Sequence, residues 1–208
     1  YVKLVARSHK LKFRGILRVL PIMKAFICSM PRSGTYLMAK LLTLWGMTNT
    51  NYHFSEGFVE HRTQENIDRQ RLDINEVNSN TQDFWHSIGH NQFAVGHLAP
   101  ECHNLEQLKS FKRIVLIRDH TEIDNSLRSW SQLTGYDIKL LDSHKIIPDW
   151  RWVPDTFVCE FNRDLIGINI GKLDDLQRYL FGKVTHCSDA TMQLAQASMT
   201  FTKSSSRP

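Results

Sequence analysis

The chain has 208 residues, of which 41% are hydrophobic and 23% are charged, a composition typical of one globular domain that is long enough to bury a core. Its longest apolar runs are far shorter than the roughly 20 residues that cross a bilayer, so we predict no transmembrane segment. The four cysteines form no C-x-x-C pair, which favours free thiols in a reducing compartment and therefore a cytoplasmic protein.

Positive charge is concentrated at the start of the chain. Nine of the 26 Lys and Arg residues lie in residues 1–55, which contain none of the 21 Asp and Glu residues. Such a segment attracts polyanions, membrane surfaces or anionic cofactors. Residues 1–22 precede Met23 and are open to three interpretations: an upstream extension, a basic helix, or residues that are not native. We predict that residues 23–208 form a single domain.

Apolar runs alternate with stretches of helical spacing along the chain. In chain order, these patterns predict a strand at 24–29 and a helix at 33–46, followed by a polar stretch at 55–87 in which the first part of 60–85 is helical. They then predict a strand at 92–98, a short helix at 104–111, a strand at 112–118 and a helix at 121–133 capped by Thr121. The last predicted elements are a strand at 155–161 and a helix at 172–181. The alternation predicts an α/β fold with three layers, α/β/α, around a central parallel sheet of P-loop-like topology. Ligands of such sheets bind at the carboxyl ends of the strands.

The segment between the first strand and the first helix has the composition of an anion site. Residues 27–37 read ICSMPRSGTYL, and the order of strand, tight polar loop and helix is one that holds phosphate. Backbone N–H groups at the start of the helix point toward the anion, Gly34 lets the backbone approach closely, and Arg32 offers a fork of donors. The loop lacks the first glycine and the lysine of the G-x-x-x-x-G-K-[ST] pattern. The alternative is an ordinary proline turn in which Ser33 caps the helix.

A second candidate anion site follows the strand at 112–118. Arg118 ends this strand, and Ser126 lies eight residues later on the predicted helix. Their side chains can converge on a second phosphate beside the first loop. The alternative is that Arg118 forms a salt bridge with Asp119 or Glu122.

Together, these motifs resemble the sulfotransferases that use 3′-phosphoadenosine 5′-phosphosulfate (PAPS). PRSGTYLMAKLL resembles the family's 5′-phosphosulfate loop, and RIVLIRDHTEIDNS resembles its 3′-phosphate motif, which has an arginine and a serine at the same spacing. The resemblance extends over residues 24–182. The residues that it implies in cofactor binding are Arg32, Ser33, Gly34, Thr35, Tyr36, Arg118 and Ser126.

The segment VGHLAP resembles the part of cytosolic sulfotransferases that carries the catalytic base, and the matching residue is His97. The resemblance implies in-line transfer of a sulfuryl group to a hydroxyl or amine of a small-molecule or carbohydrate acceptor, without a metal. His97 would take the proton and Arg32 would stabilise the departing 5′-phosphate of adenosine 3′,5′-bisphosphate (PAP). Because other branches of the family use a glutamate as base, Glu56 and Glu101 remain alternatives.

Two further features depart from the family pattern. Val95 and Gly96 occupy the place where cytosolic members have a lysine, so more of the charge stabilisation falls on Arg32. The family's C-terminal basic loop is matched only by Lys203 and Arg207, which could begin such a loop. The aromatic segment DWRW at 149–152 is either a platform for a flat acceptor or a packing element.

Other functional classes fit the sequence less well. A nucleotide kinase needs Mg²⁺ and a carboxylate ligand, and an arginine stands where that carboxylate would follow the strand at 112–118. A non-catalytic protein that docks on a membrane or another anion would use the basic start of the chain. We predict no nucleic-acid partner, because aromatic residues are not interleaved with the basic ones. The cluster of His97, Cys102 and His103 lacks a second ligand pair with zinc-site spacing, so we predict no metal.

Overall fold

A computed structural model of the chain describes residues 23–61, 77–78, 81–134 and 150–204. The predictions for residues 1–22 and for Arg207 lie outside the described residues. The described strands form one sheet in the order β4-β3-β2-β5-β1-β6-β7. Their bounds are β1 Lys24–Ser29, β2 Thr48–Ser55, β3 Phe58–His61, β4 Val77–Asn78, β5 Gln92–His97, β6 Phe111–Ile117 and β7 Thr156–Glu160.

Five of these strands, β2, β5, β1, β6 and β7, run parallel, while β3 and β4 add an antiparallel edge. The strand β1 lies at the centre and is almost completely buried, as expected for a parallel strand that is covered on both faces. It pairs with β5 on one side and β6 on the other, so Ser29, His97 and Ile117 end neighbouring strands at the same edge of the sheet.

Helices cover both faces of the sheet. Alternate residues of β1 belong to two separate cores: Ala25 and Ile27 to one, Phe26 and Cys28 to the other, which follows from the two-residue period of a strand. The helices are α1 Thr35–Leu44, α2 Thr81–Ser87, α3 Cys102–Gln107, α4 His120–Thr134, α5 Ile170–Phe181 and α6 Ser188–Ser204. The first core contains residues of α1, α5 and α6, and the second contains Trp85 of α2. The predicted three-layer α/β/α architecture is confirmed.

The strands predicted at 24–29, 92–98, 112–118 and 155–161 are confirmed within one residue at each end. The helices predicted at 33–46, 104–111, 121–133 and 172–181 are present as α1, α3, α4 and α5, although α1 begins at Thr35 and α3 ends at Gln107, before a 3-10 turn over Leu108–Ser110. The predicted cap is wrong. The backbone N–H of Glu122 donates to Asp119 Oδ1 over 3.1 Å, so Asp119 and not Thr121 caps α4.

The helix predicted in the first part of residues 60–85 is wrong at residues 60 and 61. Residues 60 and 61 belong to β3, which forms a hairpin with β2, and residues 62–76 lie outside the described part. The hairpin was missed because the first four residues of β2, TNTN, contain no apolar residue and so lack the alternation that marks a half-buried strand. Tertiary packing stabilises it instead: the ring of Phe54 stacks on Trp85 with centroids 3.8 Å apart.

Lys203, which we expected at the start of a C-terminal basic loop, lies instead in the last turn of α6. Residues 188–204 contain neither glycine nor proline and are rich in alanine, methionine and glutamine, a composition that favours a helix. Within the described ranges, no helix is long and apolar enough to cross a membrane.

Candidate functional site

The loop between β1 and α1 has an unusual backbone. Gly34 occupies the N-cap of α1 with φ of 93°, and Arg32 also adopts a positive φ of 67°. A Cβ atom at Gly34 would overlap the ring of Phe161, so the left-handed backbone and the close approach both require glycine. The helix therefore begins with no side-chain cap, and Ser33 does not cap it, contrary to the alternative prediction.

The hydroxyl groups of the loop lie inside the protein. Thr35 Oγ1 and Ser29 Oγ are 2.6 Å apart in a buried hydrogen bond, which ties the start of α1 to the end of β1. Ser33 is completely buried, and its hydroxyl has no hydrogen-bond partner among the described residues. A buried hydroxyl normally has a partner, so Ser33 fits a loop that holds an anion. Tyr36 follows, half-buried, in the first turn of α1.

The two predicted anion motifs meet at Arg32. Arg118 Nη1 donates to the carbonyl oxygen of Arg32 over 2.8 Å, and Arg32 Nε donates to Ser126 Oγ over 3.0 Å. These contacts join residues that lie 86 and 94 positions apart in the chain. Partial removal from water and the nearby charge of Arg118 lower the pKa of Arg32. Two guanidinium groups held this close favour an anion between or beside them.

Arg118 is held in place from three sides. Its Nε donates to Glu122 Oε2 over 2.9 Å, so the predicted salt bridge is present and coexists with the contact to Arg32. Its guanidinium also lies over the ring of Phe161, 4.5 Å from the centroid. Asn162 Nδ2 donates to both oxygens of Glu122 over 2.7 and 2.8 Å. These hydrogen bonds from Arg118 and Asn162 lower the pKa of Glu122.

Phe161 and Asn162 were missed by the sequence analysis. They open a π-helical turn, Phe161–Ile166, directly after β7, and only their position at the end of a strand marked them. Buried Asp164 fixes this turn, because its carboxylate accepts from the N–H of Glu160 over 2.8 Å and from Arg163 Nε over 2.8 Å. Burial alone would raise the pKa of Asp164, but these hydrogen bonds outweigh it and the pKa is lowered.

His97 lies at the end of β5, one strand away from the loop. Its Nδ1 is 2.6 Å from the carbonyl oxygen of Ser29. Because a carbonyl oxygen can only accept, Nδ1 carries the hydrogen in this contact, and Nε2 is the nitrogen that can accept a proton. The ring of His97 also contacts the ring of His53 on β2, with centroids 4.5 Å apart.

The alternative bases have other surroundings. Glu56 Oε1 accepts from the N–H of Ala99 over 2.7 Å and from Asn104 Nδ2 over 3.0 Å, so this carboxylate anchors the segment that follows His97. Glu101 is exposed and occupies the N-cap of α3. Glu56 therefore has a structural role in holding this segment, which a catalytic base does not require.

The two tryptophans of the aromatic segment at 149–152 have different environments. Trp150 is buried, and its Nε1 donates to the carbonyl oxygen of Leu98 over 2.7 Å, which confirms the packing interpretation for this residue. Trp152 is 81% exposed. A separate pocket of about 140 Å³ lies between α2, α3 and the β2–β3 turn, and includes Phe54, Trp85 and Leu98 in its lining.

The side chains of three of the four cysteines are described. Cys28, Cys159 and Cys187 carry free thiols, and burial raises the pKa of Cys159 to about 12. The side chains of Cys102 and His103 lie outside the described part. Among the described residues, no group of three His, Cys, Asp or Glu side chains is placed to hold a metal ion.

Comparison with solved structures gives a match to a protein of known fold. No family model matches the chain, and no curated protein sequence matches it. Among solved structures, the chain is similar to retinol dehydratase in complex with androsterone and inactive cofactor PAP, with a TM-score of 0.51 and 15% sequence identity. The match covers 85% of this chain and 65% of that one, so the chain spans a little less than two thirds of the other protein. The fold expected from the sulfotransferase resemblance is confirmed.

Proposed function

We propose that this chain is a PAPS-dependent sulfotransferase. The observation that carries the proposal is the meeting of two sequence motifs at one point: Arg118 contacts the backbone of Arg32, and Arg32 contacts Ser126. A loop that merely capped a helix would need neither arginine. The fold shared with a protein whose structure holds PAP supports the same conclusion.

The residues at this point fit the charges of PAPS. Arg32 and the backbone of the loop 33–36 would hold the 5′-phosphosulfate, and the buried Ser33 hydroxyl would gain a partner there. Arg118 and Ser126 would hold the 3′-phosphate, which distinguishes this nucleotide from ATP. When bound, PAPS supplies the sulfuryl group, which passes to the acceptor oxygen or nitrogen as its bond to the 5′-phosphate oxygen breaks. Arg32 would stabilise the negative charge that remains on that oxygen.

His97 would accept the proton that the acceptor loses. Its Nδ1 is committed to the carbonyl oxygen of Ser29, so the proton would go to Nε2. A histidine near neutral pH is a suitable base for a hydroxyl or amine. Ser29 also ends β1 and contacts Thr35 of the loop, so the base and the anion loop share one anchor.

The acceptor that we propose is the hydroxyl or amine of a small molecule or a carbohydrate. The related structure contains androsterone, which supports a small molecule with a hydroxyl group. The free thiols of the described cysteines support a cytoplasmic location.

A thermal-shift experiment with three ligands tests the proposal. PAP should stabilise the protein, by about 2.7 kcal/mol at a hundredfold excess over its Kd, and EDTA should not reduce this effect. AMP, which lacks the 3′-phosphate, should stabilise it less. If ATP with Mg²⁺ were the only ligand to stabilise the protein, the chain would be kinase-like and the proposal would be refuted.

A matched pair of variants makes the test specific to the loop. Arg32→Ala should lose most of the stabilisation by PAP, whereas Lys40→Ala should retain it. Lys40 is an exposed cation on α1, so its removal changes the net charge by the same amount at a different place. Equal losses in both variants would show that PAP responds only to overall charge.

A further inference from the structure

A second histidine lies against the proposed base. His53 is on β2, where it pairs in register with Val95, while Ser55 pairs with His97. Residues two apart on a strand point to the same face, so His53 lies directly below His97 on neighbouring strands. Their rings meet edge to face, with an interplanar angle of 71° and centroids 4.5 Å apart.

The two histidines differ in exposure. His53 is 2% exposed, whereas His97 is half-buried at the edge of the sheet. Because interiors are close-packed, a buried ring has little room to turn. His53 therefore presents a fixed surface to one side of the His97 ring.

The orientation of the His97 ring decides which nitrogen can act. Rotation of an imidazole about its last torsion is soft and has two broad minima, and a half-turn would exchange the positions of the two edges of the ring. The hydrogen bond from Nδ1 to Ser29 over 2.6 Å selects one orientation. The ring of His53 occupies space through which the His97 ring would pass in turning to its second orientation.

We propose that His53 is a positioning residue that fixes the orientation and tautomer of His97. The ring of His53 keeps Nδ1 of His97 directed at the carbonyl oxygen of Ser29, so that Nε2 is the basic nitrogen. The effect on catalysis rests on the proposed function, whereas the effect on the tautomer does not.

Nitrogen-15 NMR of the histidine rings at pH 8 tests the proposal without any turnover. In the unmodified protein, His97 should give the signals of a single Nδ1–H tautomer. In His53→Ala, it should give averaged signals of both tautomers, and in His53→Phe, which retains a ring, it should return to the single form. A single Nδ1–H tautomer in His53→Ala would overturn the proposal. Loss of the single tautomer to the same extent in the alanine and phenylalanine variants would overturn it too.

A second small variant guards against a folding failure. If His53→Ala does not fold, His53→Val, which is shorter than histidine and has no ring, is judged by the same criterion. His61→Ala is the control, since His61 is an exposed histidine on the adjacent β3 and its removal should leave the tautomer of His97 unchanged. A change in His61→Ala equal to that in His53→Ala would show a general disturbance of the hairpin and overturn the proposal.

Kinetics then separate this inference from the proposed function. His53→Ala should lower kcat roughly ten- to a hundredfold, since a small misplacement of a reacting group has effects of this size, while the KM for PAPS stays within about twofold and His53→Phe restores the rate. If the unmodified protein transfers no sulfuryl group, the proposed function fails and the NMR result still decides the role of His53. An active protein whose kcat is unaffected by His53→Ala would overturn the positioning role.

Discussion

Replacement of Gly34 by alanine tests whether the anion loop depends on close contact with the turn after β7. Two costs can be read from the structure. The φ of 93° at Gly34 is left-handed, which costs an L-residue about 1–2 kcal/mol. The added methyl group would overlap the ring of Phe161, and overpacking of this kind typically costs about 1–3 kcal/mol. Gly34→Ala should therefore lower the free energy of unfolding by roughly 2–5 kcal/mol.

Gly182 provides a matched control for the backbone cost. It ends α5 with φ of 71°, and a Cβ atom there would meet nothing within 4 Å. Gly182→Ala should therefore cost only the left-handed strain, about 1–2 kcal/mol. Urea unfolding of both variants, followed by circular dichroism, measures the two losses under the same conditions. The difference between them is the contribution of Phe161.

A double-mutant cycle then isolates that contribution. In a Phe161→Ala background the methyl group has room, so the loss caused by Gly34→Ala should shrink toward that of Gly182→Ala, with a coupling of roughly 0.5–3 kcal/mol. The reasoning is refuted if Gly34→Ala costs no more than Gly182→Ala, or if the two substitutions at 34 and 161 are additive.

Three further outcomes are expected. Arg118→Ala should weaken PAP binding in calorimetric titration by roughly 1.5–3 kcal/mol and AMP binding much less; equal losses would show that Arg118 does not recognise the 3′-phosphate. His97→Ala should lower the rate of sulfuryl transfer to a phenol about 10²–10⁴-fold with PAP affinity unchanged, and a loss below about tenfold would place the base elsewhere. Asp164→Asn should lower the free energy of unfolding at pH 7 by roughly 1.5–3 kcal/mol. Because the folded protein lowers the pKa of Asp164, its contribution is present above the unfolded value and is lost as the pH falls through the folded one. The difference in unfolding free energy between the two proteins should therefore narrow as the pH falls below about 5, and a constant difference in urea unfolding would contradict this origin.

The central part of the fold was predictable because its local and tertiary signals agree. The residues of β1 and β6 are short apolar runs, and both strands are buried in the middle of a parallel sheet, where sequence and burial match directly. The hairpin of β2 and β3 shows the opposite case. Asn49 and Asn51 are poor strand formers, and pairing with β5 and the stacking of Phe54 on Trp85 decide the conformation of this hairpin. Such long-range contacts cannot be recognised from the sequence of a short segment.

The sequence made it possible to predict where three candidate site residues lie, but not which side chains they contact. Arg32, Arg118 and His97 each lie at or just after the end of a parallel strand, which was enough to place them at the same edge of the sheet. The strand order was not predictable, and it determines which side chains touch. Since β1 lies between β5 and β6, His97 reaches Ser29 from one side and Arg118 reaches the loop from the other.

Under the proposed function, this arrangement also accounts for the absence of a lysine from the loop. In this chain, the positive charge beside the loop comes from two different strand ends: Arg32 follows β1, and Arg118 follows β6 and donates to the carbonyl oxygen of Arg32. That contact joins the backbone of the loop to a side chain held by Glu122 and Phe161. The left-handed backbone at Arg32 and Gly34 is therefore supported by neighbouring elements, as a strained segment requires. The positive charge that a lysine would carry on a flexible stem is instead fixed in two planar groups, as the proposed binding of two phosphate-like groups at separate places on PAPS requires.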